Sequence, residues 1–246
     1  MSNNDNIGKN DSKKQDTPPE IIGLFVKPSI HIYGENKFYY YESGYYGNKS
    51  ENFLELSFEE ALLLSERGRI RIFSNETNTF PTEGDISNEE IQLLPEIDAT
   101  RLTQMITKDV PNFWGRYLVY KDLRSRGYVV RPGFGSSSPY RRYPRGAKAE
   151  KSQSNALVFP FVEGTKIELF ELEQLEESAH ANRKTLILGI VDRSGDVTYY
   201  KASEFELNEN KEIYEWHDEF SHRDENLENE KDSTDVGNQL EGTEDE

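Results

Sequence analysis

The chain has 246 residues, of which 46 are acidic, 29 are basic and none is cysteine, and its formal net charge is −17. The lack of cysteine excludes a disulfide scaffold, a thiol nucleophile and cysteine-ligated zinc or iron–sulfur sites. No apolar run approaches the length of a membrane span and the first residues lack the apolar core of a secretory signal, so we predict a cytoplasmic protein with no membrane partner. The net charge, taken as an average, argues against a polyanionic partner such as RNA.

The predicted elements of the first part of the chain form one unit over 19–109. Short apolar runs predict strands over 21–26 and 29–33, and the aromatic run 38–41 also suits a strand. A capping box at Ser57 predicts a helix from Phe58 to Arg67 that ends at Gly68. The remaining predictions are a strand over 70–73, a short helix that begins after Ser87 and ends at Pro95, and a helix over 100–108.

A second unit is predicted over 111–205, after a break at Pro111. Its first element is a helix over 113–126, with Gly127 as its stop and an apolar face that includes Trp114. The other predicted elements are strands over 128–130, 156–162, 186–191 and 197–201, a loop over 132–139, a helix over 169–184 and a turn over 192–196. The fold class is therefore α+β, with two small domains, the second built on a central sheet.

The charge is unevenly distributed between these units and the chain ends. Residues 206–246 hold 16 acidic and 3 basic side chains, whereas residues 116–151 hold 10 basic and 2 acidic ones, a local net charge of +8. The acidic tail has too little apolar surface to offset its chain entropy, so we predict that it is mostly disordered, as are residues 1–18. The average charge thus conceals a basic segment in the second unit.

Metal and nucleotide chemistry have little support in the sequence. The four histidines, His31, His180, His217 and His222, are dispersed along the chain, so we predict no metal site. The segment Gly133-Phe134-Gly135 lacks the third glycine and the helix start of a dinucleotide-binding loop. We therefore predict neither a metal nor an organic cofactor.

The basic segment is more informative, because aromatic and cationic residues alternate in it. The members of this pattern are Tyr140, Arg141, Arg142, Tyr143, Arg145, Lys148 and Lys151. Such a composition suits a phosphate backbone whose bases stack on aromatic rings. The alternative is an ordinary solvated basic surface.

Several segments of the chain resemble archaeal tRNA-splicing endonuclease subunits, in the order that the family has them. In the second unit these are RYLVYKDLRSRGY at 116–128, YRRYPRG at 140–146, AHANRK at 179–184, LILGIVD at 186–192 and GDVTYY at 195–200. In the first unit they are YESGYYG at 41–47 and LSFEEA at 56–61. The resemblance covers about 21–205, and it implies that the second unit is the nuclease-like domain.

The resemblance implies a specific reaction. Family members cut introns from precursor tRNA at a bulge-helix-bulge without a metal, leaving a 2′,3′-cyclic phosphate and a 5′-hydroxyl. They use a tyrosine as general base, a histidine as general acid and a lysine that stabilises the charged transition state. Carried over by position, the tyrosine is Tyr143 and the lysine is Lys184, but the histidine position, ten residues past Tyr143, holds Gln153. His180 falls on a different, helical position.

Glutamine donates hydrogen bonds but cannot release a proton near neutral pH. We therefore expect a structural subunit that cleaves poorly alone and pairs with a paralogous, histidine-containing catalytic subunit as an (αβ)2 heterotetramer. Two alternatives are a catalytic homotetramer with an altered acid and a non-cleaving RNA-binding module.

The resemblance also suggests contact residues. Arg141, Arg142, Arg145 and Lys148 are the candidates for binding RNA. The family dimerises through its last strand, which makes Val197 and Tyr199 candidate interface residues. Its acidic hairpin loop enters a basic pocket of another subunit, and the candidates here are Asp192 and Asp196, although aspartates also suit the turn itself.

Overall fold

The computed structural model describes residues 19–75, 86–133 and 140–203. In these ranges the chain is α+β, as predicted, with two sheets flanked by helices. The strands are β1 (Ile21–Val26), β2 (Ser29–Ile32), β3 (Asn48–Lys49), β4 (Leu54–Leu56), β5 (Ile70–Ser74), β6 (Glu96–Ile97), β7 (Val130–Pro132), β8 (Tyr140–Arg142), β9 (Ala156–Val162), β10 (Thr185–Val191) and β11 (Val197–Ala202). The helices are α1 (Tyr39–Gly44), α2 (Phe58–Glu66), α3 (Asn88–Ile91), α4 (Ala99–Asp109), α5 (Phe113–Ser125) and α6 (Leu169–Ala181).

The first sheet has the strand order β3-β4-β2-β1-β5-β6, and its central strands are buried. Helix α2 begins at the predicted capping box: the Ser57 hydroxyl accepts from the Glu60 N–H, and the Glu60 carboxylate accepts from the Ser57 N–H at 2.9 Å. Gly68 follows the helix with a φ of 62°, a conformation that glycine adopts at little cost. The predicted boundaries of α2 are therefore confirmed to within a residue.

The second sheet has the order β11-β10-β9-β8-β7, in which β9 and β10 are parallel and the other pairs antiparallel. Alternate residues of β9 face different helices: Val158 lies in the cluster that contains α5, and Leu157 lies with Leu175 of α6. Helix α5 passes so close to β9 that a Cβ on Gly115 would lie 2.6 Å from Val162. The sheet is thus packed between α5 and α6.

The two sheets share a core, because buried residues of α2 and α5 belong to one apolar cluster. Leu62 and Leu63 of α2 and Tyr117 and Tyr120 of α5 are all nearly inaccessible to solvent within it. The described residues of both sheets accordingly belong to one compact unit. None of the helices in the described ranges is long and apolar enough to cross a membrane.

Some predicted elements differ from the structure. The aromatic run 38–41 is not a strand: Phe38 is the N-cap of helix α1 and residues 39–41 lie in its first turn, where Glu42 N donates to Phe38 O and the Tyr40 hydroxyl donates to Arg69 O. Strand β7 begins at Val130, since Tyr128 N still bonds back to Leu123 O at the end of α5. Trp114 is 47% exposed and does not belong to the buried face of α5.

Other differences concern boundaries and short strands. Helix α6 ends at Ala181 and not at Lys184. The sequence pattern gave no indication of four short strands, β3, β4, β6 and β8. The predictions of disorder over 1–18 and 206–246, and most of the predicted loop 132–139, lie outside the described residues.

Candidate active site

The register of three strands brings the predicted catalytic positions to one end of the second sheet. Arg142 of β8 pairs with Ala156 of β9, which pairs with Thr185 of β10. Just beyond this row, Asn155 N donates to Arg142 O at 3.0 Å, and Thr185 N donates to Asn155 O at 3.1 Å. Tyr143 follows Arg142, the segment 153–155 precedes Ala156, and Lys184 precedes Thr185. These three parts of the chain therefore lie at the same end of the sheet.

Lys184 is half-buried and fixed at this end. Its Nζ donates to the carbonyl oxygen of Ser154 at 3.0 Å, and its backbone N–H bonds to Ala179 O of α6 at 2.9 Å. Arg183 has a φ of 55°, which turns the chain from α6 into β10. A cation is thus held directly beside the segment that contains Gln153.

Tyr143 follows β8 and is 6% exposed. Its backbone N–H donates to Val129 O at 2.9 Å, which ties it to the residue before β7. Gln153 is exposed, and His180 lies exposed on the last turn of α6, in agreement with its expected helical position. The structure therefore brings Tyr143, Gln153 and Lys184 to one end of the sheet.

The candidate RNA-binding residues divide into two groups. The guanidinium carbons of Arg142 and Arg145 each lie 4.9 Å from the ring centroid of Tyr128. Arg141 instead donates from Nε to Pro132 O at 2.7 Å, and Lys148 is exposed. Tyr128 was predicted only as a strand residue, and its contact with two arginines depends on the pairing of β7 with β8.

A network of buried and partly buried polar side chains connects β8 to α2 and α5. The Arg116 Nη2 is 2.8 Å from Glu59 Oε1, and the Tyr140 hydroxyl lies 3.2 Å from the same carboxylate oxygen and 3.0 Å from Arg116 O. Burial, with a further contribution from the Glu59 charge, raises the pKa of Tyr140. This network joins α2, α5 and β8, and no sequence motif indicates it, because its members are far apart along the chain.

The candidate interface residues lie in and beside the last hairpin. The Asp192 carboxylate accepts from Ser194 N at 2.8 Å and from Asp196 N at 3.0 Å, so it serves the turn, while Asp196 is exposed. Val197 and Tyr199 pack against the core, and the Tyr199 hydroxyl bonds to Asp122 at 2.7 Å. The side chains of these two residues are therefore directed into their own chain.

A metal site was not predicted, and the described part of the chain contains no group of three or more histidine and carboxylate residues that could hold a metal ion.

Two family models match the chain. The tRNA intron endonuclease N-terminal domain matches residues 21–83, and the tRNA intron endonuclease catalytic C-terminal domain matches residues 113–199. These ranges correspond to most of the first sheet and nearly all of the second.

Curated relatives agree with these matches. The tRNA-splicing endonuclease of Methanococcus vannielii is 33% identical over 188 residues, which are 76% of this chain and 92% of the relative. That of Thermococcus kodakarensis is 35% identical over 66% of this chain and 84% of the relative. That of Methanosarcina acetivorans is 34% identical over 65% of this chain, and the matched region spans only 40% of the relative. The chain therefore belongs to the tRNA intron endonuclease family.

Proposed function

We propose that the chain is a subunit of a tRNA-splicing endonuclease that removes introns from precursor tRNA at bulge-helix-bulge sites. The observation that carries the proposal is the register of β8, β9 and β10, with Tyr143, the segment 153–155 and Lys184 at one end of the sheet. Membership of the family supports the substrate class. The reaction leaves a 2′,3′-cyclic phosphate and a 5′-hydroxyl.

The proposed roles are those that the resemblance to the family implies for these three positions. As a phenolate, Tyr143 takes the proton of the 2′-hydroxyl and becomes the neutral phenol, while the 2′-oxygen forms the new bond to phosphorus. The Lys184 ammonium stabilises the negative charge that develops on the phosphate oxygens. The bond from phosphorus to the 5′-oxygen breaks, and that oxygen needs a proton. Gln153 cannot supply one, because an amide does not titrate near neutral pH.

The missing acid supports a structural role for this chain. We infer that it assembles with a histidine-containing paralogue as an (αβ)2 heterotetramer, in which the paralogue cleaves. A second candidate function, RNA binding without cleavage, is favoured by the two guanidinium groups around Tyr128. A catalytic homotetramer that uses another acid is the third possibility.

Restoring the histidine tests the site directly. We expect the wild-type chain alone to cleave an intron-bearing precursor tRNA at a background rate. We expect Gln153→His to raise that rate by about 10²–10⁴-fold, the usual contribution of a general acid. The measurement is single-turnover cleavage, with analysis of the product ends for the cyclic phosphate.

Gln153→Asn is the matched control, because it changes the side chain but provides no titratable group. Adding Tyr143→Phe to Gln153→His should remove the gain. Cleavage by the wild-type chain alone at a rate equal to that of Gln153→His would contradict the structural-subunit proposal. If a folded Gln153→His variant gains nothing, then Tyr143 and Lys184 do not form a working site.

A further inference from the structure

A group of aromatic rings and cations covers one side of α1, away from the site described above. The Lys49 Nζ lies 4.5 Å from the ring centroid of Tyr41 and 4.9 Å from that of Phe38. On the same rings, the Arg131 guanidinium carbon is 5.5 Å from Tyr41, and the Lys37 Nζ is 5.3 Å from Phe38. Two rings are thus bordered by three cations. We call this group the α1 surface; its members are Lys37, Phe38, Tyr41, Lys49 and Arg131.

The α1 surface is accessible and its backbone is fixed. Lys49 is exposed, and Phe38 and Tyr41 are half-buried, so part of each ring faces solvent. Helix α1 is followed by its C-cap, Tyr45, in the left-handed conformation, with Tyr45 N bonded to Tyr41 O at 2.8 Å. From α5, Arg124 donates to Gly44 O at 2.8 Å. The rings therefore need little reorganisation to receive a ligand.

The α1 surface continues to the candidate active site. Arg131 of β7 pairs with Arg141 of β8, and cross-strand neighbours have side chains about 5 Å apart. Arg141 precedes Tyr143 by two residues, which is about 7 Å of extended chain. Arg131 also donates to the Asn48 Oδ1 of β3 at 2.7 Å and so joins the two sheets. Cations and aromatic rings therefore extend from Tyr143 to α1.

We propose that the α1 surface is a second contact for the precursor RNA, on the N-terminal domain. The cations neutralise backbone phosphates, and Tyr41 and Phe38 offer ring faces or edges to unpaired bases. This inference rests on the proposed function, since the strand of RNA that reaches α1 is the one held at Tyr143. An acidic protein would match the charge, but it would not account for the aromatic rings that accompany each cation.

The carboxylate of Glu42 repels phosphate at the proposed contact, and its removal therefore tests the proposal. Glu42 is exposed and lies 3.5 Å from the Lys49 Nζ. Phosphate must compete with this carboxylate for the lysine, so Glu42→Gln should tighten RNA binding. A purely structural role of the cluster predicts no such gain.

The experiment measures binding of the full chain to an intron-bearing precursor tRNA by fluorescence anisotropy across a range of salt concentrations. We expect Lys49→Gln to weaken binding and to reduce the slope of log K against log salt by about one. Tyr41→Leu should weaken binding about fivefold or more with less change of slope, because stacking is not ionic. Circular dichroism checks that each variant is folded.

Lys27→Gln is the matched control. The Lys27 Nζ also pairs with a carboxylate, Asp109, at 2.7 Å, and both side chains are exposed. The change removes the same charge at the turn after β1, outside the basic segment, so RNA binding should equal that of the wild type.

The outcomes separate this inference from the proposed function. If Arg145→Gln weakens binding but Lys49→Gln, Tyr41→Leu and Glu42→Gln do not alter it, the α1 surface is not an RNA contact and the proposed function stands. If the wild-type chain binds no precursor tRNA, alone or with its catalytic partner, the proposed function fails as well. If Lys49→Gln lowers only the affinity for that partner, the α1 surface binds protein and our inference is wrong.

Discussion

At the scale of single residues, His31 is held in an environment that disfavours its charged form. Its ring stacks on Phe53 at 4.0 Å and contacts the Ser29 hydroxyl at 3.0 Å and the Tyr33 hydroxyl at 3.2 Å. Burial lowers the pKa of His31, and the nearby Glu55 charge offsets this in part. Protonation of the ring must therefore oppose folding.

This environment predicts a pH dependence of stability. The folded-state pKa lies below the ordinary value of 6.5, so the unfolded chain binds the proton more readily. The contribution of neutral His31 is complete above about pH 6.5 and is lost as the pH falls below it. In urea titrations, the free energy of unfolding of the wild type should therefore fall more steeply from pH 7 to pH 5 than that of His31→Gln. Parallel curves for the two proteins would mean that His31 does not titrate differently in the folded state.

At the scale of elements, the capped helices could be predicted from the sequence, whereas the conformation of the aromatic run 38–41 and the pairing of distant strands could not. The capping boxes at Ser57 and Ser87 predicted α2 and α3, because a cap depends only on residues three apart. The prediction of a strand over 38–41 was wrong, because aromatic residues suit a helix that packs on a core as well as a strand. Strand β8 and the contacts of Tyr128 depend on pairing across a sheet, which no local pattern specifies.

The network of Glu59, Arg116 and Tyr140 makes a prediction at the same scale. Glu59→Gln leaves the Arg116 guanidinium without its ion pair at a site where Glu59 is 6% exposed. We expect the variant to lose roughly 2–3 kcal/mol of unfolding free energy, less than for a fully buried pair, because the Arg116 side chain is 37% exposed. Equilibrium urea denaturation measures this loss.

Asp109→Asn is the appropriate control for this change. Asp109 pairs with Lys27 at 2.7 Å, but both side chains are more than half exposed. Removing such a pair should change stability by less than about 1 kcal/mol. Equal losses in Glu59→Gln and Asp109→Asn would mean that the network does not join α2 to α5 and β8 energetically.

At the scale of the whole molecule, the net charge of −17 is a poor guide to the partner. Residues 206–246, which hold 16 of the acidic side chains, lie outside the described part of the chain. Within the described part, arginines gather on β7, β8 and the turn after them. The basic segment, and not the average, therefore agrees with a family that acts on tRNA.

The proposed assembly belongs to the same scale, and the last strand of the second sheet offers a test of it. In the sheet formed by the described residues, β11 is an outer strand, which suits pairing with another subunit. Val197 and Tyr199 pack inward, whereas Tyr200 is 57% exposed. We therefore expect Tyr200→Asp to leave the subunit folded and to lower its oligomeric state in sedimentation velocity.

Leu93→Asp provides the control for this assembly test. Leu93 is 83% exposed, and it lies just after α3, in the part of the chain that forms the first sheet. The change replaces an exposed apolar side chain by the same charged one, and the variant should sediment as the wild type does. The readout is taken with and without the proposed catalytic partner, since the proposed heterotetramer would form only in the mixture. If Tyr200→Asp and Leu93→Asp both sediment as the wild type, β11 does not form the interface, and the assembly must use another surface of the chain.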